Sequence, residues 1–323
     1  MNALVSARPA RDALSCPDCG AGALRERGRI PDASEFAGQP LDAALPGGIL
    51  FECRACALAF RWPVAEPAFY DALYARAKAG EWASVARRID HEHIAAALQR
   101  HCSGGDVLDI GCGAGALLAR LPSAYRRHGV EIGAAARRAA ARAQVELVGH
   151  SFHALNQIEQ RFDAVLAADV IEHHPRPGDF MAEALALLKP GGLLIVSTGN
   201  PDAALWRLCG GNFWYCQFAE HISFVSPRWL AGWSERSSQR SSARALAGAA
   251  QVVEVRTFAY AELPPGRWLK LAGLLLFYLV SPARYGRALA RRRGWAGTLP
   301  YHATPPGTGL TRDHFVAVLR KPA

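Results

Sequence analysis

From Asp106 to Thr198, short apolar runs alternate with segments of helical periodicity. The runs VLDI, HGVEI, VELVG, FDAVLAAD and LLIVST predict strands, and GALLARL, AAARRAAARA and FMAEALALL predict the helices between them. Repeated strand–helix–strand order is typical of a parallel, doubly wound sheet with helices on both faces. We therefore expect an α/β fold built on a Rossmann-like sheet.

The flanking segments differ from this core. Residues 1–65 are loop-rich, with short strands predicted at ILFEC and LAFRW, whereas residues 66–100 favour helix. Ser226-Pro227 predicts the start of a helix in PRWLAGWSERS, and VVEVRTF and HFVAVLR predict two late strands. Composition thus predicts three domains: a small module over 1–65, a core over 66–260 that begins with a lid helix, and a C-terminal segment over 261–323 that includes the final core strand.

The N-terminal module contains two C-x-x-C pairs, Cys16/Cys19 and Cys53/Cys56, separated by 33 residues. Four thiolates from two such knuckles match the tetrahedral sulfur site that zinc prefers. The alternatives are redox pairs or unrelated cysteines. We expect a structural zinc site in a ribbon-like module, because four protein ligands leave no open position for catalysis.

The formal charge of +9 favours anionic partners such as nucleotide-linked substrates or membrane surfaces, although a solvated basic surface would give the same total. The N-terminus lacks an apolar run of signal-peptide length, and the apolar stretch 271–280 is too short to cross a bilayer. We expect a cytoplasmic protein with reduced cysteines. Segment 267–293, apolar and then arginine-rich, predicts either peripheral contact with the inner membrane face or a core or dimer helix.

The stretch VLDIGCGAG at 107–115 is a glycine loop between a predicted strand and a predicted helix. Gly111 and Gly113 fit the loops of both dinucleotides and S-adenosylmethionine (SAM), and Glu131, 20 residues after Gly111, suits a ribose in either case. Asp109 separates the two hypotheses. A carboxylate there would repel a pyrophosphate, whereas it would attract the ammonium and sulfonium of SAM.

Four segments in order resemble the successive motifs of class I SAM-dependent methyltransferases: VLDIGCGAG, HGVEI, AADVIEHHPRP at 167–177 and LKPGGLLIVST at 188–198. The resemblance covers roughly residues 104–200. It implies a SAM site whose residues are Asp109, Gly111, Cys112, Gly113, Gly115, Glu131 and Asp169. In that set the loop residues line the methionine end, Glu131 holds the ribose and Asp169 faces the cofactor. The region VGHSFHAL lacks the acid that often contacts adenine, so Ser151 or backbone would serve instead.

A methyl acceptor with a hydroxyl or an acidic C–H needs a general base. His173, just after the fourth core strand, and the pair Glu220-His221, within an exposed-looking aromatic loop, are the candidates; each histidine could equally be a packing residue. Tyr70, Tyr74 and Trp82 on the preceding helix predict either a lid over SAM or ordinary packing.

The four-cysteine module ahead of the core, with an E-H pair downstream, is similar to sugar-nucleotide C-methyltransferases. This resemblance implies methyl transfer to a small, sugar-containing acceptor such as a nucleotide sugar or glycan precursor. The alternatives are O- or N-methylation of a lipid-linked or natural-product scaffold, and a non-catalytic zinc-module protein with a degenerate SAM fold. Nucleic acid is a weaker candidate, because the chain shows no N-P-P-Y-type motif and no compact basic–aromatic stripe.

Overall fold

The structure, a computed structural model, describes residues 14–37, 39–76, 88–151, 154–238, 250–260, 268–281, 284–285, 288 and 311–323. The chain forms two compact units. The cysteine unit comprises residues 1–65, 199–226 and 257–314, and the sheet unit comprises residues 66–198, 227–256 and 315–323.

The sheet unit is built on a seven-stranded sheet with the order β12-β13-β10-β9-β6-β7-β8. Its strands are β6 (Gly105–Ile110), β7 (Tyr125–Val130), β8 (Glu146–Gly149), β9 (Phe162–Ala168), β10 (Leu188–Gly199), β12 (Gln251–Phe258) and β13 (His314–Arg320). The strands β6 to β10 pair in parallel. The predicted Rossmann-like α/β fold is confirmed, and all seven strands predicted for the core and the late segment are present.

The helices of this unit are α1 (Pro67–Arg76), α2 (Ile89–His101), α3 (Ala134–Arg142), α4 (Pro177–Ala186) and α6 (Pro227–Ser238). One predicted helix is wrong. The segment GALLARL at 115–121 holds only a single 3-10 turn, Leu118–Arg120. Gly115 at its start has a positive φ of 82°, and Pro122 directly after it cannot continue a helix, so too few residues remain for an α-helix.

The centre of the sheet explains why these strands form. Leu108 on β6, Leu166 on β9 and Ile195 on β10 are fully buried. A strand covered on both faces by helices reads as a continuous apolar run, which is the pattern of a parallel sheet. Because β7 and β9 lie on opposite sides of β6, the chain reverses its winding direction at β6. Ligands of doubly wound sheets bind in the crevice at the carboxyl end of such a strand.

The cysteine unit contains a four-stranded antiparallel sheet, ordered β1-β4-β5-β11, and a two-stranded β2-β3 ribbon. Its strands are β1 (Leu24–Arg29), β2 (Ala33–Phe36), β3 (Gln39–Leu45), β4 (Ile49–Cys53), β5 (Ala59–Trp62) and β11 (Ser223–Phe224). The two short strands predicted here are confirmed as β4 and β5. Ser223 pairs with Phe60, so a segment more than 160 residues later completes the sheet of the N-terminal module.

Two helices, α5 (Ala204–Cys209) and α7 (Trp268–Val280), complete the described part of the cysteine unit. Its core is aromatic: Trp206 stacks on Phe213 with ring centroids 4.5 Å apart, and Tyr215 and Phe224 pack edge-on against Trp206. Across the described ranges, we find no helix whose length and apolar character would let it cross a bilayer.

Candidate functional site

The glycine loop follows β6 at the crevice of the sheet. Gly111, Gly113 and Gly115 all have positive φ, at 73°, 54° and 82°. A Cβ built on Gly111 would lie 2.8 Å from Cγ2 of Val170, whereas one on Gly113 would meet no atom within 4 Å. The loop therefore folds tightly under Gly111 and leaves open space in front of Gly113, where a ligand can approach the backbone.

We expect Gly111→Ala to weaken SAM binding about tenfold or more while the protein stays folded, because the methyl group strains the turn and displaces Val170. Gly191→Ala is the matched control: its φ of 76° carries the same backbone strain, but no atom lies within 4 Å of the added Cβ. Isothermal titration of both variants with S-adenosylhomocysteine measures the effect. Equal affinities for the two variants would refute the role of this turn.

Glu131, at the end of β7, connects the loop to the neighbouring strand. Its Oε2 accepts a hydrogen bond from the Gly113 amide at 2.9 Å, and its Oε1 accepts one from the Gly133 amide at 2.6 Å. Each carboxylate oxygen has two lone pairs, so the side chain retains acceptor capacity for a ribose hydroxyl. Cys112 is buried beside Gly129 and contributes backbone rather than its thiol to the loop surface.

Asp109 lies at the carboxyl end of β6 and is only 3% exposed. Its Oδ1 is buried and has no hydrogen-bond partner among the described residues. Burial raises the pKa of this carboxyl to about 8; the guanidinium of Arg88 opposes the rise, and Glu131 and Asp90 add to it. A buried acid with an unsatisfied oxygen costs stability. A cationic ligand group would supply what Asp109 lacks, so the loop fits the methionine end of SAM.

Arg88 is a residue that the sequence analysis missed. It precedes α2, and its Nη2 donates to Oδ2 of Asp169 at 2.6 Å and also pairs with the fully buried Asp90. Asp169, directly after β9, has a positive φ of 51°, a conformation that L residues adopt at a cost of about 1–3 kcal/mol. Acidic groups of β6, β9 and α2 thus surround one guanidinium at the crevice. Only the folded sheet brings them together, so no local spacing signalled this pair.

His173 lies in a 3-10 turn, Ile171–His173, four residues after Asp169. Its Nδ1 shares a 2.9 Å hydrogen bond with the hydroxyl of Tyr74 on α1. The neighbouring Glu172 is fully buried and accepts a hydrogen bond from Oγ1 of Thr198 at 3.0 Å. Helix α1 thus contacts the loop after β9 through Tyr74, while Trp82 of the predicted lid lies outside the described residues.

The four predicted metal ligands are brought together in the cysteine unit. The sulfur atoms of Cys16, Cys19, Cys53 and Cys56 all lie within 4.8 Å of one another. The Cys16–Cys56 and Cys19–Cys53 sulfur distances are 3.5 and 3.6 Å. Four sulfurs at 2.3 Å from a tetrahedral zinc would be about 3.8 Å apart, so the donor set is compatible with this ion.

Both knuckles have the same backbone turn. The Gly20 amide donates to the Cys16 carbonyl and the Ala57 amide donates to the Cys53 carbonyl, each at 2.9 Å. Gly20 has a φ of 77° and Ala57 a φ of 65°. A positive φ is strained for an alanine, so the surrounding structure must hold Ala57 in this conformation. The turn points both sulfurs of each pair towards one point.

Glu220 and His221 lie in a buried segment of the cysteine unit, so the prediction of an exposed aromatic loop is wrong. Both residues are 3% exposed, and Phe213, Trp214 and Tyr215 are buried too. The apolar side chains of this segment form much of the aromatic core of the cysteine unit, and burying them in that core removes them from water. The sequence pattern did not distinguish a pocket wall from a core.

His221 and Glu220 are held by different partners. His221 Nδ1 donates to the Tyr215 carbonyl at 2.9 Å, and its ring packs between Tyr215 and Phe218, with centroids at 4.3 and 4.7 Å. Because a carbonyl can only accept, this bond fixes the tautomer and places the lone pair on Nε2. Glu220 Oε1 accepts from the Ala37 amide at 3.1 Å, and burial raises the pKa of Glu220 to about 7.

Comparisons with known proteins match the middle of the chain, including the glycine loop. A family model described as a methyltransferase domain matches residues 81–237. Two curated relatives are both named ubiquinone biosynthesis O-methyltransferase. The relative from Bradyrhizobium sp. ORS 278 is 40% identical over 144 residues, which cover 41% of this chain and 53% of the relative. The relative from Rhodopseudomonas palustris BisB18 is 38% identical over 108 residues, which cover 30% of this chain and 41% of the relative. The chain thus spans about half the length of the curated relatives it matches.

Among solved structures, the N-methyltransferase NodS from Bradyrhizobium japonicum in complex with S-adenosyl-L-homocysteine aligns with 76% of this chain and 94% of its own, at 14% identity and a TM-score of 0.45. The family match covers the glycine loop, Glu131, Asp169 and His173. Residues 81–237 therefore match a methyltransferase domain, and the parallel sheet order is consistent with the Rossmann-like fold of SAM-dependent methyltransferases.

Proposed function

We propose that the protein is a SAM-dependent methyltransferase. The single observation that carries this proposal is Asp109, a buried carboxyl with an unsatisfied oxygen at the crevice of a methyltransferase-domain sheet. When bound, SAM supplies an electrophilic methyl group. Asp109 would attract the ammonium of the methionine end, Arg88 would pair with its carboxylate, and Glu131 would accept from the ribose hydroxyls.

Binding is the first test of this proposal. Calorimetric titration of the native protein with SAM and with S-adenosylhomocysteine is expected to give saturable binding of both. A protein with a degenerate fold would bind neither at high micromolar concentration, and that result would support the non-catalytic alternative.

We further propose that His221 acts as general base, with His173 as the second candidate. His221 suits the role because its Nδ1–H is committed to the Tyr215 carbonyl, which orients Nε2 as the proton acceptor. His173 suits it because it follows Asp169 in the domain that carries the glycine loop. The role of Glu220 beside His221 stays a prediction, which the pH–rate profile of Glu220→Gln tests.

Replacing the base by asparagine is expected to lower kcat about 10²- to 10⁴-fold without changing the Kd for S-adenosylhomocysteine. His221→Asn and His173→Asn, assayed side by side with labelled SAM, identify which histidine it is. If both variants turn over at the native rate, neither histidine is the base. His101→Asn is the control, because that histidine lies at the end of α2, shares a hydrogen bond with Glu254 and has no proposed role.

The acceptor is proposed as an oxygen nucleophile. The two curated relatives are named O-methyltransferases of ubiquinone biosynthesis, which favours a hydroxyl on a lipid-linked or natural-product scaffold for this chain. The sugar-containing acceptor is the second candidate, favoured by the four-cysteine cluster and the Glu220-His221 pair. Labelled-methyl transfer against nucleotide sugars and against hydroxylated polyprenyl compounds distinguishes the two classes.

We propose a structural zinc ion for the four-cysteine cluster. The close sulfur distances and the matched turns of the two knuckles support it. The cysteines would hold the ion as four thiolates, and the ion would cross-link the N-terminal knuckle to the β4–β5 hairpin.

A further inference from the structure

Helix α7 of the cysteine unit keeps an apolar face in solvent. Eight large hydrophobic side chains are exposed among the described residues, and four of them fall within residues 276–280: Leu276, Phe277, Leu279 and Val280. Leu276 is 64% exposed and Val280 is 76% exposed. Such clustering is unusual on a soluble surface and marks an interaction site. We call this set the α7 face.

The opposite side of α7 anchors the helix to its unit. Tyr278 is fully buried, and its hydroxyl donates to the Asn212 carbonyl. Leu274 and Leu275 pack against the aromatic core. The helix is thus fixed along one side, while the exposed positions 272, 273, 276, 277, 279 and 280 lie along the rest of its surface at spacings of three and four residues. The α7 face is a built surface of the unit.

The positive charge of the sequence that contains α7 favours an anionic partner. Residues 263–312 contain no Asp or Glu, but they contain eight cationic residues: Arg267, Lys270, Arg284, Arg287, Arg291, Arg292, Arg293 and Arg312. Arg284 is exposed four residues beyond the end of α7. Arg267, Arg287 and Arg291–Arg293 lie outside the described residues, so their charge is known from the sequence alone. An apolar helix face followed by Arg284, in a segment without acids, complements an anionic lipid surface, which accepts apolar side chains at the acyl boundary and cations at its headgroups.

A second copy of the chain fits this surface less well. A symmetric dimer would place the same patch on both sides of the contact. Two α7 helices in contact would then bring like charges together, because each copy carries Arg284 just beyond the helix and residues 263–312 contain no acid.

Length sets the orientation on a bilayer. Thirteen residues of helix extend about 20 Å, which is less than the hydrocarbon thickness of about 30 Å. The helix can therefore lie in the plane of the interface but cannot cross it.

We propose that the α7 face docks the protein on anionic membrane surfaces, with its apolar side chains at the acyl boundary and Arg284 at the headgroups. This inference does not depend on the methyl-transfer reaction. It adds a place of action: a docked enzyme would meet acceptors held in or at the membrane.

Vesicle co-sedimentation of the full chain tests the proposal, with vesicles of phosphatidylcholine alone or of phosphatidylcholine mixed with phosphatidylglycerol. Native protein is expected to bind the vesicles that contain phosphatidylglycerol and to bind them less at high salt. It is expected to bind vesicles of phosphatidylcholine alone only weakly. Leu276→Ser with Val280→Ser is expected to weaken binding about tenfold or more, and Arg284→Glu about fivefold or more.

The matched control is Val253→Ser with Val255→Ser, which removes two exposed valines from β12 of the sheet. This variant is expected to bind vesicles like the native protein. Thermal melts and S-adenosylhomocysteine binding check that each variant is folded. Native protein that stays in the supernatant with anionic vesicles would overturn the proposal. A second result would also overturn it: native protein that sediments as a dimer while the Leu276→Ser/Val280→Ser variant sediments as a monomer. The α7 face would then be occupied by a second copy of the chain.

Discussion

The Asp109→Asn variant is expected to bind SAM about 10- to 100-fold more weakly than the native protein and yet to melt about 5 °C higher without ligand. Both effects follow from one buried carboxyl. An ionised Asp109 attracts the ammonium of SAM, and the amide of asparagine has no charge to offer. Without the cation, burial forces the carboxyl to keep a proton that the unfolded chain would release at neutral pH, a cost to the fold that the neutral amide does not carry.

The pH dependence has a definite sign. Folding raises the pKa of Asp109 from 3.8 to about 8, so the carboxyl binds its proton more tightly in the folded state. Its contribution therefore destabilises the protein progressively as pH rises from about 4 to about 8 and is constant above that. The gain in melting temperature of Asp109→Asn over native protein should be small near pH 5 and largest near pH 8.

Ligand binding should be coupled to the same proton. At pH 7 native Asp109 is largely protonated, and pairing with a cation favours the ionised form, so SAM binding is expected to release up to one proton. Calorimetry in buffers of different ionisation enthalpy measures this release, and Asp109→Asn should show none.

Asp106→Asn is the matched control for Asp109. Asp106 lies on the same strand and pairs with Arg126 and Lys189, and the hydrogen bond from Arg126 holds the pKa of this carboxyl well below its usual range. The control should keep native SAM affinity and lose a little stability at neutral pH. An Asp109→Asn variant with native affinity and native proton release would contradict the assigned role.

Removing one zinc ligand is expected to have the second large effect. Cys53→Ser should reduce bound zinc from about one equivalent per chain to near zero and lower the melting temperature strongly, because a structural zinc ion contributes its binding free energy to folding. A strong chelator should do the same to native protein. Cys53 is fully buried at the end of β4, in the strand that pairs with both β1 and β5, so its loss acts on the whole four-stranded sheet.

Cys102→Ser is the matched control, because Cys102 lies in the sheet unit and outside the cluster. Zinc content and melting temperature of this variant should match the native protein. Elemental analysis, together with a melt in the presence of chelator, gives the answer even if Cys53→Ser fails to fold. Purified native protein that contains no metal and is unaffected by chelator would contradict the zinc proposal.

Local pattern was enough to predict the sheet. Strands buried on both faces contain apolar runs, such as Val107-Leu108 in β6 and 164–168 in β9, and the turn after β6 needs glycines for its positive φ angles. These features depend on neighbouring residues alone, so the sequence shows them directly. The joint position of the four cysteine sulfurs was also predictable, because each knuckle brings two ligands to one side of a turn.

The missed features all depend on long-range contacts. Arg88 meets Asp169, 81 residues away, only after the sheet has formed. Strand β11 has two residues, too few for a periodicity, and exists because β5 offers an edge. The aromatic segment around His221 is buried because α5 and β11 supply matching surfaces. Acceptor choice is of the same kind, since it depends on side chains that no single segment contains.

The central claim is that the loop at 107–115 holds SAM and not a dinucleotide. Equilibrium dialysis of the native protein with labelled SAM tests it most directly. We predict about one equivalent of bound SAM, displaced by S-adenosylhomocysteine and unaffected by NAD or NADH. Absence of SAM binding at high micromolar concentration, or displacement of SAM by NADH, would contradict the claim.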